Sequence, residues 1–251
     1  MSAGSLPGPL QCPEKTAPAL GAIVVAAGSS TRMGGIDKTF TPLLGMPLIA
    51  HCLDRLETFP PVAQIALVLS QQSIGLGEEM VARRNYTKVS SVCAGGARRQ
   101  DSVRLGLESL GPCDWVLVHD GARPCLDHSL LERGWDAVRR FGAALAGVPV
   151  KDTIKVVSPE QIVQETPPRE GLWAAQTPQF FRYDLLQRAH QQCRESVTDD
   201  AAMVERLGHP VHMFLGSYEN LKITTRDDLT IAEALLTSRY SEQLTPGSNL
   251  K

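Results

Sequence analysis

No stretch of this 251-residue chain approaches the ~18 apolar residues of a membrane span, and residues 1–20, MSAGSLPGPLQCPEKTAPAL, lack both the basic start and the apolar core of a secretory signal. A cytoplasmic protein is expected. Paired cysteines are missing too. The six cysteines stand singly at Cys12, Cys52, Cys93, Cys113, Cys125 and Cys193 with no Cys-x-x-Cys spacing, unlike a zinc site or a disulfide framework, and they read as free thiols. With a formal net charge of -2 the chain lacks the Lys/Arg excess that broad binding to nucleic acid requires, although a local anion site stays open. Neither GxGxxG nor GxxxxGK[ST] occurs, which removes the usual support for nicotinamide-cofactor and ordinary ATPase readings, and without GxSxG a covalent acyl mechanism has no nucleophile elbow.

What is present is enough apolar content, 43% of residues, for a real core in one large domain or two small ones. Residues 1–20, with their prolines and glycines, read as a flexible tail, 21–240 as a single domain, and 241–251 as a second tail. Ala22 to Ala27 is a short apolar run closed by Gly28, the pattern of a strand buried on both faces. Leu48, Ile49, Cys52, Leu53 and Leu56 then share a helical face. Strands at Ile65–Leu69, Val89–Val92 and Trp115–His119, with a helix over Asp101–Leu110, continue an alternation that predicts an α/β fold: a parallel sheet with helices on both faces.

After a strand at Ala144–Val150 the rhythm changes. Thr153–Val157 and Gln161–Glu165 around Ser158-Pro159-Glu160 read as an exposed hairpin, an arm over about 151–171 that a second copy of the chain would cover. Helices follow at Tyr183–Cys193 and Asp199–Leu207, and strands at Val211–Leu215 and Leu221–Thr224. A last helix opens on Thr225 as N-cap, with Asp227 and Asp228 in its first turn.

Chemistry gathers at the carboxyl ends of the expected strands. Ala26-Ala27-Gly28-Ser29-Ser30-Thr31-Arg32-Met33-Gly34-Gly35-Ile36-Asp37-Lys38 is a small-residue loop whose backbone N–H groups suit an anion; the alternative is a solvent-exposed turn with two ordinary basic residues. Arg99 in the turn after Gly95-Gly96, Arg123 after Asp120, and Lys222 converge on the same edge, as a substrate with several phosphates would use, while Arg98 is expected to be solvated or paired with Asp or Glu. Asp120 is placed to hold Mg²⁺, or equally to cap a helix or bind a ribose. His119 is expected to be packed, and His209 and His212 structural.

In combination and order, these segments resemble the 2-C-methyl-D-erythritol 4-phosphate cytidylyltransferases of the non-mevalonate isoprenoid pathway. The resemblance runs through Ala26-Ala27-Gly28, Arg32 and Lys38, Gly95-Gly96 with Arg99 and Ser102, His119-Asp120-Gly121-Ala122-Arg123-Pro124, Val150-Lys151-Asp152-Thr153, Gly171-Leu172-Trp173 with Gln176-Thr177-Pro178-Gln179, Thr198-Asp199-Asp200 and Asn220-Leu221-Lys222. It covers about Gly21 to Leu236. It implies a Rossmann-like nucleotidyltransferase sheet, CTP as substrate with Mg²⁺, and a homodimer through a swapped arm. Arg32, Lys38, Arg169 and Lys222 would be catalytic. Ala26, Ala27, Gly28, Gly95, Gly96, Arg99, Ser102, Asp120 and Ala122 would bind the nucleotide. Thr153, Thr177, Thr198 and Arg123, with Arg169 and Lys222, would bind the acceptor, Thr153 and Arg169 acting in the partner's site. Ala97 stands where many relatives carry an acid. A ribitol 5-phosphate cytidylyltransferase and a non-catalytic nucleotide-binding regulator are the alternatives weighed.

Overall fold

The first apolar run forms β1 (Leu20–Ala26), inside a seven-stranded sheet, in a computed structural model that describes residues 19–28 and 38–244. β1 lies parallel between β4 (Val62–Leu69) and β6 (Trp115–Asp120). Side chains alternate along a strand, and both faces of β1 are buried. Leu20, Ala22 and Val24 enter one apolar core with α1 (Leu48–Glu57), α2 (Ile74–Arg84) and α4 (His128–Phe141). Ile23 enters the other with α3 (Arg99–Ser109), α5 (Tyr183–Gln192) and α6 (Asp200–Arg206).

The strand order is β11-β7-β10-β6-β1-β4-β5. Here β5 is Val89–Ala94, β7 Ala143–Pro149, β10 Trp173–Arg182 and β11 His212–Leu215. β10 runs antiparallel to both β6 and β7, so the sheet is mostly, not wholly, parallel. A short hairpin, β2 (Pro42–Leu43) with β3 (Met46–Pro47), precedes α1. Against it packs α7 (Arg226–Leu244), where Leu43, Leu48, Ile223, Ala232 and Leu236 form a third core.

The expected alternation of strand and helix is present; besides the β2–β3 hairpin, α2, α4 and β10 are added. α2 buries little beyond Gly77 and Met80, so its apolar spacing is faint. α4 is capped by Asp127, whose side chain accepts from the Leu130 N–H at 2.7 Å, and it buries Leu130, Leu131, Trp135 and Val138 on one face. β10 is masked by Pro178, which cannot donate to a ladder, and its register against β7 shifts between Ala175 and Gln179.

Two expectations are corrected. Leu221–Thr224 is not a strand: one backbone bond, Ile223 N–H to Ala122 O at 2.8 Å, ties this extended segment to the loop after β6. The last helix continues past Tyr240 to Leu244. Thr225 and Asp228 cap its start reciprocally, each accepting from the other's backbone N–H. The arm is present but short-paired, as β8 (Val156–Val157) with β9 (Val163–Glu165), and Ile162 at its turn is 66% exposed. Cys52, Cys93, Cys113, Cys125 and Cys193 are free thiols, and Cys12 lies outside the described residues.

Gly134 on α4 faces the fully buried ring of Phe180 so closely that a Cβ there would overlap it. A packed aromatic ring in a two-sided sheet has nowhere to retreat. Gly134→Ala is therefore expected to lower the unfolding free energy by about 1–3 kcal/mol, read as a shift in the urea midpoint at unchanged slope.

Candidate active site

A cleft of about 490 Å³ opens at the carboxyl ends of β1 and β6, lined by Ala26, Ala27, Gly28, Lys38, Gly96, Arg99, Ser102, Asp120, Ala122 and Lys222 of the expected residues. Ligands bind at this edge of open α/β sheets because helix starts and loop N–H groups face it. Arg98 and Ala97 also line it. Arg98 is paired with Asp101 at 2.7 Å, as expected. Ser102, in the first turns of α3, shapes the glycine loop: its hydroxyl accepts from the Gly96 N–H at 3.1 Å and donates to Arg98 O at 3.2 Å. A Cβ on Gly95 would collide with Ala27 and Ser102, so only glycine lets the loop lie against β1. With its hydroxyl committed in this way, Ser102 is no nucleophile.

The electrostatic centre is Asp120, the last residue of β6, 7% exposed. One carboxylate oxygen accepts from Arg99 Nε at 3.0 Å and the other from Lys222 Nζ at 2.7 Å. Burial alone would raise its pKa, yet the charges of Arg99 and Lys222 hold the carboxyl well below its ordinary value. Arg99 reaches on to Asp200 at 2.7 Å, a fully buried carboxylate at the start of α6. The cations expected to face phosphates thus include two that the protein already fastens. Arg99 keeps a buried Nη2 without a partner, and Lys222 remains 41% exposed. Lys38, which begins a short 3-10 turn, donates to Ile223 O at 3.2 Å.

Below this centre, Thr177 on β10 accepts from the Asp120 N–H at 3.0 Å. Its hydroxyl stands 3.3 Å from Nδ1 of His119, whose Nε2 stands 3.2 Å from Arg123 O. A carbonyl only accepts, so Nε2 carries the proton and Nδ1 takes the Thr177 hydroxyl. His119 is packed and neutral, its pKa lowered to about 4 by burial. Arg123 lies behind the wall of the cleft and donates to Asn220 O at 2.7 Å, while Asn220 donates to Thr177 O at 2.8 Å.

Other expected residues stand apart. Thr153 and Arg169 are exposed on the arm, Arg169 donating to Lys151 O at 2.8 Å, and Thr198 is exposed just before α6. Arg32 lies outside the described residues. His209 and His212 take no part in the cleft, His212 stacking on Phe141. Thr39, Thr224 and Asp200 were not singled out by spacing. Thr39 and Thr224 line the cleft, and Asp200 anchors Arg99. As a seat for Mg²⁺ the donor set does not fit: both Asp120 oxygens are taken by cations, and among the described residues no group of three or more His, Cys, Asp or Glu could hold a metal ion.

The buried neutral His119 makes stability pH-dependent. Its pKa is lowered from 6.5 to about 4 on folding, so unfolding takes up a proton between these values. Its contribution is full above about pH 6.5 and falls as pH drops towards 4, at up to about 1.4 kcal/mol per pH unit. His119→Gln is expected to flatten that slope by about one proton, measured from urea midpoints at a series of pH values between these limits.

Comparison with known proteins agrees with this geometry. The family model for 2-C-methyl-D-erythritol 4-phosphate cytidylyltransferase matches residues 20–238. Curated relatives of that name include one from Dehalococcoides mccartyi, 49% identical over 217 residues that cover 86% of this chain and 96% of the relative. Another, from Desulforamulus reducens, is 45% identical over 224 residues, covering 87% and 96%. Among solved structures, a 4-diphosphocytidyl-2C-methyl-D-erythritol synthase from Anaerococcus prevotii superposes with a TM-score of 0.77 at 28% identity, covering 88% of this chain and 99% of that one. The cytidylyltransferase of Thermus thermophilus gives 0.71 at 33% identity, covering 87% and 99%. With a family match that spans both the sheet and its cleft, the chain belongs to the 2-C-methyl-D-erythritol 4-phosphate cytidylyltransferase family.

Proposed function

We propose that this chain transfers CMP from CTP to 2-C-methyl-D-erythritol 4-phosphate, giving 4-diphosphocytidyl-2-C-methyl-D-erythritol and pyrophosphate, in the isoprenoid precursor pathway of the cytoplasm. The observation that carries the reading is the cleft itself, where the glycine loop before α3 and Lys38 stand beside a carboxylate gripped by Arg99 and Lys222. That is a site for a base held by backbone groups and for phosphates held by cations.

An oxygen of the acceptor phosphate attacks the α-phosphorus of CTP. The new P–O bond forms as the bond to the β-phosphate oxygen breaks, and pyrophosphate leaves with the electron pair. No protein nucleophile enters, so the protein's work is alignment and electrostatic stabilisation. Ala26, Ala27, Gly95, Gly96 and Ser102 line the cytosine pocket. Gly28 and Lys38 face the triphosphate, Lys38 together with Arg32 is assigned the stabilisation of charge on phosphorus and the leaving group, and Mg²⁺ arrives as the counter-ion of the triphosphate, part of the substrate. Arg99 and Asp120, next to Ala122, set the floor. Lys222 and Thr198 receive the acceptor phosphate, completed by Thr153 and Arg169 from the arm of a second copy, while Thr177 and Arg123 support that corner from behind the wall of the cleft. The exposed Val156, Val157, Ile162 and Val163 of that arm support such a pairing, since apolar side chains on a two-stranded ribbon need a surface to cover them.

The test is pyrophosphate release from CTP with Mg²⁺ and methylerythritol 4-phosphate, against ATP, UTP and ribitol 5-phosphate. Release is expected with CTP and methylerythritol phosphate together, and preference for ribitol phosphate would overturn the acceptor assignment. Lys38→Ala is expected to lower kcat about 10²- to 10³-fold with a much smaller change in the KM for CTP. Mixing inactive Lys38→Ala with inactive Arg169→Ala is expected to recover about a quarter of the wild-type rate. Each mixed dimer then rebuilds one of its two sites, and an arm serving its own core would give no recovery.

A further inference from the structure

The first turn of α3 faces two ways. Arg99 and Ser102 look into the cleft, whereas Gln100 between them is buried, 7% exposed, and turned towards the segment that joins α5 to α6. Both ends of its amide are used there. Nε2 donates to Glu195 O at 3.1 Å, and Oε1 accepts from the Val197 N–H at 3.1 Å. A primary amide is the side chain that can give one bond and take one in the same plane, so Gln100 grips the backbone of this segment as a neighbouring strand would.

Residues 193–199 form neither helix nor strand. On the far side of Thr198 the chain is already fixed. Asp199 caps α6 through the Ala202 N–H at 3.0 Å and accepts from Gln179 Nε2 at 3.2 Å, Gln179 Oε1 accepts from the Ala201 N–H at 3.1 Å, and Asp200 holds Arg99. On the near side, the side chain of Glu195 reaches only the exposed Arg206. The clamp on the Val197 backbone, with the packing of its side chain against the second apolar core, therefore sets where the chain enters Thr198.

We infer that Gln100 is a positioning residue for the acceptor: it fastens the segment carrying Thr198 to the same helical turn that shapes the nucleotide cleft, so that the two substrates meet in register. The inference rests on the acceptor role proposed for Thr198. Gln100 touches neither substrate; it acts through the backbone of Glu195 and Val197.

Steady-state kinetics on the full chain separate this from a merely structural role. Gln100→Ala is expected to raise the KM for methylerythritol phosphate roughly five- to ten-fold, the loss of about one net hydrogen bond, and to leave the KM for CTP within about two-fold. Gln100→Glu, which when ionised sets a carboxylate oxygen against the Glu195 carbonyl, is expected to raise the acceptor KM at least as much as Gln100→Ala. Combined with Thr198→Val, the effect of Gln100→Ala should be smaller than alone, because both act on one contact. An unchanged acceptor KM, or a rise in both KM values together with a lower melting temperature, would overturn the inference. A wild-type chain that turns over no acceptor with CTP would remove the functional reading as well, whereas an active wild type with indifferent Gln100 variants removes this inference alone.

Discussion

A carboxylate that ends a buried parallel strand has to be answered by positive charge, and the site is organised around that requirement. Asp120 sits where β6 stops, and its charge is kept by Arg99 from the start of α3 and by Lys222 from the extended segment before α7. Both partners lie far off in sequence, Lys222 by 102 residues. The pairings that relieve one buried charge thus draw the glycine loop before α3, the end of the central sheet and the approach to the last helix to one point. Arg99 passes the constraint on to α6 through Asp200, which is itself fully buried. Removing one member of such a cluster leaves another uncompensated, which is why these networks resist piecemeal change.

The same requirement explains the neutral layer beneath. Thr177, His119 and Asn220 carry no charge: Thr177 and His119 spend their side-chain polar atoms on backbone and on each other, and the Asn220 amide donates to Thr177 O and Gln176 Oε1. They fix the loop after β6 without competing for the cations above. Charge therefore stays in the cleft, where a phosphate can exchange for part of it, while the support below is insensitive to what binds.

How much of this could be read from residues alone follows from the distance over which each signal acts. β1 and β6 were legible because both faces are apolar, and Gly95-Gly96 as a glycine turn that follows a strand. The pairing of Arg98 with Asp101 was legible as a local i,i+3 contact. β10 was hidden by Pro178, whose missing N–H argues against a strand unless the register shift beside it is known. The extended stretch at Leu221–Thr224 read as a strand because its alternation is real, but it borders a loop and not a ladder. Asp200 was legible only as part of the Thr198-Asp199-Asp200 segment of the resemblance, with no role attached, and Gln100 had none. Their meaning lies in contacts across about a hundred residues of chain, and nothing in the spacing announces which polar side chain a fold will bury.

β10 joins two parts of the molecule that are otherwise remote. Trp173 to Ala175 pair with β7 at the base of the arm, and a few residues later Thr177 supports Asp120 beneath the cleft. Each of Trp173, Ala174 and Ala175 is paired with β7, so a residue gained or lost at the root of the arm breaks that pairing, whereas the register shift before Gln179 leaves the stretch beside β6 on its own register. The exposed turn around Ser158 and Gln161 is under no such bond to the sheet. Variation in the length of the arm is consequently free at its tip and closed at its root.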